Sequence, residues 1–394
     1  MSSNHCPVCE SEKLVAGPAY ESLATFLFPM PADEAGNVER RKYASSVCTD
    51  CSHLFQPTID NKLLAKIYGE YYQFYPLGTS PDFSPVYREP FDKLFELLTT
   101  GGVTQGSKLL EIGCSDPSNL APYAQQGFDC TGIDPSPLTG ESREEGQVRI
   151  VSGYYEDYDF DDPFDVIMSK FVLEHAVDLD GHVGKIAMDT AENGMVFIQV
   201  PNLMYYVNEN QPFFLSHEHV QYFTLRSLAT LFSRFDLKLV SALEVSRPSI
   251  IGCFTKSAKA SGLGAIDNPY PLMRDFFGRM EALEDSARKI LSQTDEVIFY
   301  GAGLLFWWIV ELVDKDKKIR VIDDNEDLHG LVMPSYGYVV EKPNDVLNES
   351  DTPVMLTLNP IYHDKVISRI ENDFPGREIC LLGPDGFSAR GGGE

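Results

Sequence analysis

The sequence predicts an α/β fold: a central, largely parallel, doubly wound sheet, preceded by a small cysteine-bearing unit and followed by a second, smaller α/β unit. Three observations carry this expectation. Between residue 107 and about 256, short apolar runs alternate with helical patterns, as expected of strands joined by crossover helices. A second alternation runs through EVIFYGAG, IRVIDDN, PVMLTLN and REICLLG. Ahead of both, four of the eight cysteines fall in two tight pairs.

At 394 residues the chain exceeds one ordinary domain. An apolar fraction of 43% and an aromatic fraction of 11% suit packed cores. Asp and Glu number 59 against 32 Lys and Arg, giving a formal charge of −27. A surface this acidic repels phosphate backbones and argues against a nucleic-acid partner, while an anionic small substrate needs only a few lining Arg or Lys residues. An acidic chain is equally what a saline habitat selects. No apolar run has the length of a membrane span, and the start, MSSNHCPVCESEK, lacks a signal-type apolar stretch. The expectation is a soluble, cytoplasmic protein without a membrane partner, in which paired cysteines hold metal rather than a disulfide. The oligomeric state is left open.

The expected order is a zinc-binding unit at 1–57, a helical bridge with the aromatic segment YYQFYPLGTSPDFSP at 58–100, and the central domain at 101–256. A helical linker at 257–291, the C-terminal α/β unit at 292–387 and a disordered tail at 388–394 complete it. Within the central unit the predicted strands are KLLEIG, CTGID, FDVIMS, GMVFIQV, LKLVSALEV and a last one around Ile250 to Phe254.

Cys6-Pro-Val-Cys9 and Cys48-Thr-Asp-Cys51 can each form a knuckle, and two knuckles complete a tetrahedral S4 site for a structural Zn2+. A redox CxxC would follow a strand and open a helix, a context neither pair has. His5 and His53, beside the pairs, are expected to be surface histidines rather than ligands.

Leu109-Leu-Glu-Ile-Gly-Cys-Ser-Asp116 reads as a strand entering a glycine turn, and Cys130-Thr-Gly-Ile-Asp134 as the second strand. Small residues after the first strand let a ligand approach the backbone. An acidic residue closing the second strand is placed to accept from ribose hydroxyls. The turn lacks the full GxGxxG, so a nucleoside cofactor without phosphates fits better than a dinucleotide.

EIGCSD, GIDPS, FDVIMSKFVLEH and VFIQVPN, in that order, resemble a class I S-adenosylmethionine-dependent methyltransferase, whose central sheet is Rossmann-like. By that resemblance Glu111, Gly113 and Asp116 surround the methionine part of the cofactor and Asp134 holds the ribose. Lys170 and Phe171, with FVLEH opening a helix, lie near the transferring methyl, and Tyr154 and Tyr155 are candidates to flank the adenine.

The segment Ser216-His217-Glu218-His219-Val-Gln-Tyr222-Phe223 is the densest acid/base cluster in the chain. A histidine titrates near neutrality and takes a proton well when a carboxylate orients it. The other readings are a metal site through HxH and a structural polar cluster.

The whole layout, with LEH at Leu173 to His175 and HEHxxYF at His217 to Phe223, resembles bacterial sugar C-methyltransferases acting on nucleotide-linked keto-deoxysugars. Tyr300-Gly-Ala-Gly303 and Val321-Ile-Asp-Asp-Asn325 match its C-terminal nucleotide-fold domain. The resemblance implies a histidine that removes a proton beside a keto group, after which the enolate carbon attacks the cofactor's methyl. On it His219 is assigned as base, and Glu218, His175 and Tyr222 as orienting or oxyanion-stabilising groups. Tyr75 belongs to the substrate-facing set. The chain departs from the family at Pro117 in the cofactor turn, at Ser216 where tyrosine is usual, and at Leu77, which leaves one tyrosine beside Pro76. A small-molecule partner is expected, with a nucleotide sugar as the class the resemblance implies. An O- or N-methyltransferase on another metabolite and a non-catalytic scaffold stand as alternatives. In the C-terminal unit the bulky Leu304-Leu-Phe-Trp-Trp308 would crowd a pyrophosphate, which favours a covering or nucleotide-gripping role without a cofactor of its own.

Overall fold

The computed structural model describes residues 4–74, 93–98, 105–114, 120–135, 141–145, 148–244, 248–256, 262, 264–314, 316–383 and 386–390. Tyr75, Asp116 and Pro117 lie outside the described residues. Among the described residues the strands form three sheets. The N-terminal sheet begins with β1 (Leu14–Ala24), β2 (Arg40–Cys48) and β3 (Leu54–Phe55), all antiparallel.

The central sheet is built from β4 (Lys108–Ile112), β5 (Asp129–Asp134), β6 (Arg143–Glu145), β7 (Val148–Ser152), β8 (Phe164–Lys170) and β9 (Thr190–Pro201). The short β10 (Gln221–Tyr222) interrupts the series, and β11 (Lys238–Glu244) and β12 (Ser249–Thr255) complete it. The order is β11-β12-β9-β8-β4-β5-β7-β6. Strands β4, β5, β7, β8 and β9 run parallel, and β6, β11 and β12 pair antiparallel. Helices on both faces leave such strands no polar side, and Val166, Ile167, Val196, Ile198 and Val200 are accordingly fully buried. The strand order reverses between β4 and β8. Crevices at the carboxyl ends of strands at such a reversal bind ligands.

The C-terminal sheet holds β13 (Glu296–Tyr300), β14 (Lys318–Ile322), β15 (Val340–Glu341), β16 (Val354–Leu356), β17 (Ile379–Gly383) and β18 (Gly386–Arg390), in the order β15-β14-β13-β16-β17-β18. Two helices precede it, Tyr270–Phe277 and Met280–Leu291.

One apolar core runs through all three parts. Phe26, Leu27 and Met30 pack with Leu203, Phe214 and Tyr222 of the central unit and with Phe299, Phe306 and Trp307 of the C-terminal one. Trp307 donates its indole N–H to the Leu27 carbonyl at 2.6 Å, and Met30 bridges to Val332. β10 crosses from the central unit to pair with β3. The outer units are therefore fixed against the central one by shared packing, and truncating a buried aromatic such as Trp307 would cost about 3–5 kcal/mol.

Three expectations need correction. FVLEH does not open a helix: Phe171 has φ +56, which ends regular structure, and only a 3-10 turn forms over Leu173–His175. The helix starts at Leu179, where Asp178 accepts from Gly181 N. Residues 388–390 are not a disordered tail. They belong to β18, paired with β17 and anchored by Phe387, whose ring stacks on Trp308. His53 is no surface histidine. It is fully buried between Phe55 and Phe223, with Nε2 2.8 Å from Gln221 Oε1.

Candidate active site

The four paired cysteines converge, as two knuckles on one centre require. Their sulfurs lie within 4.8 Å of one another, with Cys6 to Cys51 and Cys9 to Cys48 at 3.5 Å. A tetrahedral ion with bonds of about 2.3 Å holds its sulfurs about 3.8 Å apart. The cysteine set therefore fits a tetrahedral thiolate-bound ion.

At the carboxyl ends of the central strands, Glu111 is wholly buried at the end of β4. Its Oε1 pairs with Lys170 Nζ of β8 at 2.7 Å, and its Oε2 accepts no hydrogen bond from the described residues. Asp134 is buried at the end of β5. Gly113 follows β4 with φ +74, and a Cβ there would collide with Val172 and reach within 4.0 Å of Asp134 Oδ2. Only glycine serves that turn. A glycine cradle beside two buried carboxylates, one with an unpartnered oxygen, fits a polar nucleoside ligand. Tyr154 is 60% exposed, as a ring available for stacking would be. Tyr155 is placed elsewhere: it is buried, its hydroxyl donates to Asp189 Oδ2 at 2.8 Å, and Lys185 lies over its ring. Its candidacy as an adenine neighbour is not supported by this position, because the apolar ring fills the core beneath β8 and the helix Leu179–Asp189. Phe171 is partly exposed at the end of β8, and its N–H donates to the Gln199 carbonyl at 2.9 Å.

The acid/base residues meet where the turn Leu173–His175 faces the irregular segment before β10. The His175 and His219 rings sit 4.9 Å apart, edge to face. His175 Nδ1 lies 3.1 Å from the Glu218 carbonyl oxygen and so carries the proton, which leaves Nε2 bare and 4.0 Å from Glu174 Oε1. His219 Nε2 lies 4.0 Å from Glu218 Oε1. Burial drives every one of these groups toward its neutral form. It pushes the Glu174 carboxyl up to about 8, Glu218 up to about 7, His175 down to about 4 and His219 well below its usual range. His217 points the opposite way, edge-on to Tyr43, and does not join the cluster.

Glu174 escaped the sequence reading as a site residue, since nothing in LEH distinguishes it from a surface carboxylate. With His175 and His219 it forms a group of three possible ligands within 4.8 Å, which leaves out His217 and so is not the HxH site. Ligands of a tetrahedral ion with bonds of about 2.05 Å stand about 3.3 Å apart. The 4.0 Å between His175 and Glu174 is wider than that.

Tyr222 is fully committed. Its hydroxyl accepts from Tyr43 and from Ser216 N at 3.0 Å each and donates to the Ser216 carbonyl at 3.1 Å. With no capacity left for an oxyanion, Tyr222 holds the Ser216 backbone in place instead. Beside the cluster lies a small crevice of about 40 Å³. Glu218 and His219 line it on one side. Phe28 of the N-terminal unit, Tyr206 and Phe214 of the central unit, and Leu304 of the C-terminal one form its apolar walls.

A family model described as a methyltransferase domain matches residues 85–242, the stretch that contains β4 to β10 and every acid/base residue above. Residues 85–242 are a methyltransferase domain. The chain is 28% identical over 145 residues to the C-methyltransferase NovU of Streptomyces niveus, covering 35% of this chain and 34% of that protein. It is 27% identical over 101 residues to a ubiquinone biosynthesis O-methyltransferase of Rickettsia conorii, covering 24% and 35%. The chain thus spans about a third of the length of these curated relatives. Among solved structures, the 1,6-didemethyltoxoflavin-N1-methyltransferase of Burkholderia thailandensis aligns at 19% identity with a TM-score of 0.41, over 53% of this chain and 97% of that one. Within the methyltransferase domain the acid/base cluster is carried by the segments that follow β8 and precede β10. None of the described helices is long and apolar enough to cross a membrane.

Proposed function

We propose that the protein is a carbon methyltransferase in which His219 removes a proton from a carbon beside a keto group of a small acceptor. The observation that supports this reading is the desolvated Glu174–His175–Glu218–His219 cluster, whose Glu218 and His219 line one wall of the crevice. At neutral pH His219 is unprotonated and its lone pair is free to accept the proton. Glu218, 4.0 Å from it, ionises near pH 7 and then stabilises the imidazolium that results. The electron pair of the broken C–H bond moves into the enolate. Bound S-adenosylmethionine supplies the electrophilic methyl and the sulfonium charge. Glu111, Gly113, Asp134 and Lys170 are the residues we assign to holding it, with Tyr154 beside the adenine and Phe171 near the methyl. Asp116 and Tyr75 keep the roles the family resemblance implies.

The apolar walls fit an acceptor whose reacting end is uncharged and partly apolar. A deoxysugar with its nucleotide directed away from Phe28 and Leu304 meets that description. The likeness to NovU over a third of its length supports transfer to carbon. The likeness to ubiquinone O-methyltransferases supports a second reading, in which the same histidine deprotonates a hydroxyl. We also infer that Cys6, Cys9, Cys48 and Cys51 hold a structural Zn2+, with no position open for chemistry.

The test begins with calorimetric titration of S-adenosylhomocysteine into the wild type, Asp134→Ala and His219→Ala. Micromolar binding lost only in Asp134→Ala is expected, and His219→Ala should lose about 10²–10⁴-fold in turnover of keto-sugar nucleotides. Failure of the wild type to bind would remove the cofactor reading. A product whose labelled methyl sits on oxygen would replace carbon transfer by the second reading.

A further inference from the structure

The segment carrying the two histidines has no regular secondary structure from Gln211 to Val220, so its carbonyls need partners from elsewhere. They find them in the N-terminal unit. The Gln56 side-chain amide lies 2.8 Å from the His219 carbonyl, 3.1 Å from that of His217 and 3.3 Å from that of Ser216. The Gln56 backbone N–H donates to the Val220 carbonyl at 3.0 Å, and Val220 N–H donates to Glu174 at 2.9 Å. Gln56 thus binds the segment on both sides of His219, and Val220 links it to the turn that bears Glu174 and His175.

We infer that Gln56, five residues beyond the second cysteine pair, is a positioning residue that fixes His219 in the crevice. The inference rests on the proposed role of His219 for its catalytic meaning, although not for its geometry. A primary amide carries two hydrogens, and here they satisfy the two nearest carbonyls while the third shares them. The Ser216 carbonyl is also held by Tyr222, whereas among the described residues those of His217 and His219 depend on Gln56. The cysteine unit therefore acts on the acid/base cluster through a side chain, and displacing that side chain by an ångström moves the base by a comparable amount, enough to cost on the order of 100-fold in rate.

Gln56→Glu keeps the shape and removes the donors, and Gln56→Met keeps the length without donors or charge. The probe is diethyl pyrocarbonate, with ethoxycarbonylation of each histidine followed by peptide mass spectrometry, and melting followed by circular dichroism. Loss of two buried hydrogen bonds should open the segment about 30-fold more often. His219 is then expected to react about that much faster in both variants, with His182 unchanged and the protein still folded. Unchanged reactivity of His219 in either folded variant overturns the inference. So does failure of both variants to fold, which would make Gln56 a general support rather than a device for one histidine. The readout needs no acceptor, so the outcome is independent of the proposed reaction. A His219→Ala protein that still transferred methyl groups would remove the base assignment and leave the positioning result standing.

Discussion

Glu174 is the group whose perturbation says most. The residue is 1% exposed, its Oε2 has no hydrogen-bond partner among the described residues, and burial raises the carboxyl from the ordinary 4.5 to about 8. A carboxyl raised in this way leaves stability intact below pH 4.5, where folded and unfolded chains are both protonated. Stability is then lost as pH rises, because the unfolded chain releases the proton first, and the loss is complete above about 8. At about 1.36 kcal/mol per unit the total is about 5 kcal/mol, of which about 3 is already lost at pH 7. Glu174→Gln keeps the volume and removes the titration, at a pH-independent cost of about 1–3 kcal/mol for an amide with no better partners. The variant should therefore be less stable than wild type at pH 5 and more stable at pH 8. Urea denaturation followed by circular dichroism at half-unit steps of pH measures both curves. Parallel curves for the two proteins would refute the reasoning, since Glu174 would then ionise when folded as easily as when unfolded.

Two more expectations follow from the same geometry. With Glu218 ionising at about 7, log kcat/KM should rise with pH and level off above about 7, and Glu218→Gln should abolish that limb; a limb that persists in the variant assigns it to another group. The purified chain should hold one zinc by elemental mass spectrometry, and Cys48→Ser should lose the metal and melt far lower, because a structural zinc contributes on the order of 10 kcal/mol. A wild-type preparation that is folded and free of zinc would exclude the site.

Much of the frame was legible in the sequence because it is written in local patterns. Alternating apolar runs are short-range, so β4, β5, β8, β9, β11 and β12 lie where KLLEIG, CTGID, FDVIMS, GMVFIQV, LKLVSALEV and the run around Ile250 to Phe254 place them. The CxxC spacing needs only a knuckle to aim two sulfurs one way, and the convergence of both pairs follows. The histidine cluster was visible because HEH is dense, and the glycine turn because only glycine takes φ +74 beside Val172.

What the sequence did not reveal depends on which distant surfaces cover a residue. Tyr155 reads like Tyr154, but the helix Leu179–Asp189 closes over it and buries its hydroxyl on Asp189. Tyr222 looks like a spare acid until Tyr43, 179 positions away, and Ser216 use its hydroxyl up. Gln56 carries no motif, and its importance appears only where β3 brings it against the irregular segment before β10. The proton affinities of Glu174 and Glu218 are likewise set by burial under three packed units. Residue type and spacing decide which groups are present. Desolvation and hydrogen-bond partners, which only the tertiary structure assigns, decide which of them can act.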